Sequence, residues 1–151
     1  MKLKVLTITI LLAIAATPAF AQFGSEWDFG VRTGLYIDTG DPFIGFEALT
    51  PITGNFFFNP NVEWVFVDGG DLATINADVH YDLNLRTDNF VWVGAGLAGI
   101  YDNFGDSEFD IGANLLGGIG WRFGTWIPYA QAKVLISDVN DEVVGAVGVR
   151  F

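Results

Sequence analysis

The sequence predicts an all-β fold, an eight-stranded antiparallel up-and-down transmembrane β-barrel, and three observations carry that expectation. Apolar and polar residues alternate over long stretches, the period of a strand whose two faces meet different surroundings. After the first twenty-one residues no window holds the run of about eighteen apolar residues that a membrane helix needs. Glycine gathers on the polar face of the alternating stretches and bulk on the apolar face, the reverse of a water-soluble barrel with its core inside.

The 151 residues suit one domain; 51% are apolar, 15% aromatic and 17% charged, with 19 glycines. The chain has no cysteine, which excludes a disulfide framework, a thiolate zinc site and a lipid-anchored cysteine. Seven basic residues against eighteen acidic ones, a net charge of −11, argue against a phosphate-backbone partner, so no nucleic acid is expected. A mean hydropathy of +0.39 is high for so acidic a protein and points to surroundings other than water alone.

Lys2 and Lys4 open the chain, an apolar run from Val5 to Ala16 follows, Pro18 breaks it, and Ala19-Phe20-Ala21 supplies the small-x-small pattern that a signal peptidase cuts. Residues 1–21 are therefore expected to be a cleaved signal peptide and 22–151 the barrel domain, beginning at Gln22. Losing Lys2 and Lys4 leaves five basic residues against the same eighteen acidic ones, a mature net charge of −13.

In the mature chain, alternation and turn residues mark strands near 26–37, 42–50, 56–67, 73–85, 89–101, 109–123, 126–136 and 142–151. The first ends at Asp38-Thr39-Gly40-Asp41, the second at Pro51-Ile52-Thr53-Gly54-Asn55 and the third at Asp68-Gly69-Gly70-Asp71. The fourth is the clearest. Ile75, Ala77, Val79, Tyr81, Leu83 and Leu85 alternate with Asn76, Asp78, His80, Asp82 and Asn84, a sorting that no helix achieves. Arg86-Thr87-Asp88 leads into the fifth, which ends in the stretch Asp102 to Glu108. The sixth, Phe109 to Phe123, repeats the alternation over more residues than a usual globular strand. Gly124-Thr125 and Ser137 to Asp141 bound the seventh and introduce the eighth. Each connection is short enough for a hairpin, and an even number of hairpin-linked strands closes as an up-and-down barrel.

Volume decides the orientation, because an eight-stranded barrel is only just wide enough for side chains to fill. The polar face carries Gly30, Gly34, Gly45, Gly94, Gly96, Gly112, Gly118, Gly120 and Gly148. The apolar face carries Trp27, Phe29, Phe46, Trp64, Phe66, Tyr101, Trp121 and Phe123, bulk expected to face lipid. By height, Trp27, Phe56, Phe57, Phe58, Phe90, Trp92, Trp121, Phe123, Trp126 and Phe151 fall near one set of strand ends, and Tyr36, Phe43, Phe66, Tyr101 and Phe109 near the other, as two interfacial girdles. A soluble sandwich with an aromatic core is the competing reading; the export signal and the strand lengths weigh against it.

Closed by Val147-Gly148-Val149-Arg150-Phe151, alternating residues that end in an aromatic, the mature chain resembles the small outer-membrane barrels of the OmpA/OmpX type. The resemblance implies the outer membrane of a Gram-negative bacterium, contact with its lipid and lipopolysaccharide, and recognition of Val147, Val149 and Phe151 by the outer-membrane assembly machinery. It also implies periplasmic termini, so that the first, third, fifth and seventh connections face outside. The chain departs from larger members in lacking long external loops and a periplasmic domain, which speaks against adhesin, receptor and peptidoglycan-anchoring roles.

Those four outward connections hold Asp38, Asp41, Asp68, Asp71, Asp102, Asp106, Glu108, Asp138, Asp141 and Glu142, with no Lys or Arg. Such a rim attracts hard divalent cations, and loosely held Ca2+ or Mg2+ shared with lipopolysaccharide phosphates is the one ligand expected, no cofactor being implied. The spacings match no complete EF-hand, and plain solvated charge is the simpler reading.

Alternation turns Arg32, Arg122, Lys133 and Arg150 inward together with Glu47, Glu63, Asp78 and Asp82. Buried charges must be paired, so a lumen salt-bridge network is expected, with Arg32, Glu47, Glu63, Asp78 and Lys133 at mid-height and Asp82, Arg122 and Arg150 toward the periplasmic end. It is expected to plug the lumen; a narrow, porin-like path for ions or small solutes is the alternative. His80, the only histidine, faces the lumen between Asp78 and Asp82. A lipid A-modifying hydrolase, the third reading, needs a serine beside it, and Ser25, Ser107 and Ser137 all lie at strand ends or in loops. His80 is therefore expected to be a hydrogen-bonded lumen residue, and the protein a structural or stabilising barrel rather than an enzyme.

Overall fold

A computed structural model describes residues 27–83, 88–103, 107–138 and 141–151. The expected leader with its cut before Gln22, Ser25, Arg86, Asp106 and the side chain of Ser107 lie outside the described residues. Eight strands follow one another: β1 (Asp28–Tyr36), β2 (Asp41–Thr53), β3 (Phe56–Val65), β4 (Asp71–Asp82), β5 (Asn89–Asn103), β6 (Ser107–Trp121), β7 (Ile127–Ser137) and β8 (Glu142–Arg150). Each pairs antiparallel with its sequence neighbours, and β1 pairs with β8 from Gly30↔Arg150 to Tyr36↔Val144, closing the barrel. Phe29 and Phe151 extend that seam, each amide donating to the other's carbonyl at 3.1 and 2.9 Å.

The turns follow from single glycines. Gly124 has φ 65° and Gly54 has φ 54°, each as the first of two central residues, Gly124-Thr125 and Gly54-Asn55. A positive φ at that position matches the twist of the flanking strands and is open to glycine at no steric cost. Because two residues suffice to turn, β2 runs on through Pro51, which the turn-rich composition of 51–55 had marked as loop. Its ladder with β3 is irregular between Pro51 and Thr53, where a residue without an N–H is tolerated.

The wall is inverted relative to a soluble protein. On β4, Thr74, Asn76, Asp78, His80 and Asp82 are buried, while Ile75, Ala77, Val79 and Tyr81, and Leu83 just past its end, are exposed. Ile75 is 66% exposed and Asp78 0%. Phe46, Trp64, Leu97, Ile111, Leu115 and Val147 continue the apolar exterior around the barrel. Aromatic rims remain at both ends, with Trp27, Phe56, Phe123 and Trp126 exposed at one and Phe66, Tyr101 and Phe109 at the other.

Four rings expected in those girdles point into the lumen instead: Tyr36, Phe43, Phe90 and Trp92 are all buried. The expectation that so narrow a barrel excludes large rings overlooked what stands opposite them. Phe43 pairs with Gly34, Trp92 with Gly118 and Phe90 with Gly120, and Tyr129 with Gly148 in the same way. A Cβ at Gly118 would lie 2.2 Å from the Trp92 ring, and one at Gly120 or Gly148 would lie 2.6 Å from its neighbour's ring. Inward glycines thus make room for flat-lying aromatics.

The lumen has three layers. An apolar collar of Tyr36, Phe43, Val65, Ala98, Leu135 and Val144 occupies the end nearer the acidic turns. Phe90, Trp92, Leu116 and Tyr129 cluster at the opposite end. Between them lies a polar layer. Gly118→Val, which drives a branched side chain into Trp92, is expected to cost about 1–3 kcal/mol of unfolding free energy in urea titrations of the micelle-folded barrel. Gly117→Ala, whose added Cβ meets nothing nearer than a carbonyl at 3.5 Å, is expected to stay within about 0.5 kcal/mol of the parent.

Candidate functional site in the lumen

Register assembles the polar layer. Glu47 lies opposite Asn61, Glu63 opposite Thr74, and Asn61 opposite Asn76, so successive strands deliver their inward polar side chains to one height. Gly45 opposite Arg32 and Gly96 opposite Asp78 leave space for the larger partner; a Cβ at Gly96 would lie 2.2 Å from Asp78 Oδ1.

Glu63 is the hub. Arg32 donates to its Oε1 at 2.6 Å, and Lys133 Nζ reaches both oxygens, at 3.0 and 2.8 Å. The Tyr36 hydroxyl donates to Oε2 at 2.9 Å and the Thr74 hydroxyl at 3.2 Å. Glu47 is the second acceptor, taking Arg150 Nε at 2.9 Å, Arg150 Nη2 at 3.3 Å and Asn59 Nδ2 at 3.0 Å. Arg32 stands between the two, 3.9 Å from Glu47, and also donates to Asn61. Arg32, Glu47, Glu63, Lys133 and Arg150 are all buried. Leaving any one of these charges unpaired there would cost several times what an exposed pair contributes.

Asp78 departs from the expected ion pairing. It accepts from the amides of Asn61 and Asn114, each at 2.8 Å, rather than from a cation. Asn61 therefore relays between Arg32 and Asp78, accepting from the first and donating to the second, and its amide also donates to Asn59. Counting Asp78, three carboxylates face three cations in this layer. Asn59, Asn61, Thr74, Asn76 and Asn114 were not among the expected network residues, although they share strand parity with the charges, and that parity was the signal for them.

Toward the other end, Arg150 lies 4.4 Å from the Tyr129 ring centroid and 5.1 Å from that of Trp92, and Arg122 lies 4.1 Å from that of Phe90. Rings take over part of the role expected of carboxylates, since a guanidinium over an aromatic face is attracted by its quadrupole. Asp82, paired across the ladder with Trp92, is buried at this end as well. His80 is buried with its ring stacked on Trp92, centroids 5.8 Å apart and planes 15° off parallel. Ser137, in contrast, lines the mouth at the far end.

At that mouth the acidic residues divide. Asp38, an expected rim ligand, accepts from the Val143 amide at 2.9 Å and so ties the first turn to β8. Asp102, Glu108 and Asp110 bring carboxylate oxygens within 4.8 Å of one another, and Asp41 and Glu142 stand at the first positions of β2 and β8. Asp68, Asp71, Asp138 and Asp141 are exposed. On β8, Val147 faces outward, and Phe151 just past its end packs near Trp126, ring centroids 6.2 Å apart.

No protein-family profile and no curated protein sequence matches the chain. Solved structures do. The N-terminal β-barrel domain of Pseudomonas aeruginosa OprF aligns with a TM-score of 0.69 at 16% identity, over 83% of this chain and 96% of that one. Neisserial surface protein A aligns at 0.56 and 16% identity, over 83% and 93%. Ail, the attachment invasion locus protein of Yersinia pestis, aligns at 0.56 and 10% identity, over 83% and 95%. The chain has the fold of these small eight-stranded barrels.

Glu63→Gln keeps the side chain's shape but leaves Arg32 and Lys133 facing an amide. It is expected to lower the unfolding free energy of the micelle-folded barrel by about 3 kcal/mol or more. Combining it with Lys133→Met is expected to cost at least about 1 kcal/mol less than the two changes summed; strict additivity in the same urea titration would show that the pair is uncoupled.

Proposed function

We propose that the protein is a structural component of a bacterial outer membrane: a barrel held in lipid by its apolar wall, sealed at mid-height by its charged layer, and not an enzyme. One observation carries this reading, the inversion of the wall. Exposed Ile, Leu, Val and aromatic side chains encircle the barrel, an apolar area far beyond what a soluble monomer leaves uncovered. Polar side chains that a water-facing wall would carry are instead neutralised along the axis. The similarity to barrels that include the Yersinia pestis outer membrane protein Ail supports the same location.

In this reading residues 1–21 direct export and are removed, and Val147, Val149 and Phe151 present the last strand to the assembly machinery. A hydrated ion crossing the lumen would have to part Glu63 from Arg32 and Lys133 in a space already filled by their side chains. His80 serves as a stacking partner of Trp92 rather than as a base. At the outer rim, the exposed carboxylates of Asp68, Asp71, Asp138 and Asp141 share divalent cations with lipopolysaccharide phosphates.

Membrane fractionation with heat-modifiable migration on a denaturing gel is expected to find a detergent-resistant barrel in the outer membrane; recovery in the soluble fraction would overturn the assignment. In planar bilayers the parent protein is expected to be silent and Arg32→Ala to conduct intermittently. Steady conductance by the parent would replace the seal with a narrow pore. Chelating divalent cations is expected to release lipopolysaccharide from the purified barrel, and retention unchanged by chelation would remove cations from the rim.

A further inference from the structure

Above the apolar collar, the lumen opens into a vestibule of about 220 Å³ that the charged layer does not use. Tyr36, Thr74 and Leu135, the most buried residues of its lining, form its floor, and the half-buried Val67, Leu72 and Ile100 its walls, with Thr39 and Ser137 adding two hydroxyls. Both floor hydroxyls turn away from it, donating downward to Glu63, so ring and methyl surface faces up. Around the mouth stand Asp41, Asp102, Asp110 and Glu142, and among the described residues every charged side chain of the lining is a carboxylate. The pocket therefore combines an apolar bottom with a mouth of one sign.

We propose that this vestibule binds a small amphipathic organic cation, an ammonium group on an aryl or short alkyl body. The ammonium sits between Asp102 and Asp110 and the apolar body rests on Tyr36, Ile100 and Leu135. An apolar cavity of about 150 Å³ takes a benzene ring, so this volume takes a ring with a short charged arm. Carboxylates around a low-dielectric recess repel anions and concentrate cations. A bare metal ion finds no oxygen ligands at the apolar bottom and stays at the rim, while a neutral apolar molecule forgoes the charge. The inference goes beyond the sealed structural barrel and stands on the cavity whether or not the charged layer conducts.

The test uses the mature chain folded in zwitterionic micelles, titrated with 2-phenylethylammonium chloride and followed by backbone amide NMR. Saturable shifts at Tyr36, Thr74, Ile100 and Leu135 are expected, with 2-phenylethanol binding at least tenfold more weakly and phenylacetate leaving them unmoved. The double variant Asp102→Asn, Asp110→Asn is expected to raise the Kd tenfold or more. Ile100→Trp, which fills the recess, is expected to abolish binding while the barrel stays heat-modifiable. Excess calcium chloride at matched ionic strength is expected to leave the organic cation bound. Equal shifts from all three probes, an unchanged Kd in the double variant, or shifts confined to outer-wall residues such as Ile75 and Ile111 would overturn the proposal. So would stoichiometric displacement by calcium, which would make the mouth a metal site.

Discussion

Closure of the sheet is the constraint on which everything else here depends. Because β1 pairs with β8, the backbone polar groups of all eight strands are spent on lateral neighbours and no edge remains open. Only on such a wall can Ile75, Leu97, Ile111 and Val147 stand outward with nothing among the described residues over them. The same closure dictates where the polar residues go. A strand offers two faces, and with one given to an apolar exterior, every Arg, Lys, Glu and Asn at mid-strand must share a single narrow axis.

That axis is filled by two kinds of complementarity. Size is matched across the ladder, a ring or a long charged chain on one strand lying over a glycine on the next, as Trp92 does over Gly118 and Asp78 beside Gly96. Charge is matched around Glu63 and Glu47, which collect Arg32, Lys133 and Arg150, while Asp78 is satisfied by two asparagine amides. Apolar layers above and below keep the polar layer in a low dielectric. There a made ion pair is strong and a missing partner is expensive, so the layer behaves as one unit.

Glu63 also joins the two halves of the lumen. Through Tyr36 and Thr74 it takes up the polar atoms of the vestibule floor, and through Arg32 and Lys133 it anchors the charges beneath. The apolar bottom of the vestibule is thus a by-product of how this carboxylate is solvated by the protein. The acidic mouth has mixed uses, since Asp38 is engaged with the β8 backbone while Asp102, Glu108 and Asp110 converge.

Alternation by itself determined the strand count and which face of β4 looks outward, because the period of two is a local property that any closed sheet must respect. It also put Arg32, Glu47, Glu63, Lys133 and Arg150 on the inner face, and Asn61 and Asn114 could have been found with them by the same parity. Which residues meet across the axis was decided only by tertiary structure. Nothing near Asp78 in the chain says that Asn114, 36 residues away, will hold it, or that Lys133 will cross to Glu63. The buried rings teach the same lesson. Phe90 and Trp92 look like interfacial aromatics along β5, and they fit the lumen only because register sets Gly120 and Gly118 beside them. Facing direction is written residue by residue along a strand, whereas the space and partners a side chain finds belong to the neighbouring strands, and these exist only once the barrel has closed.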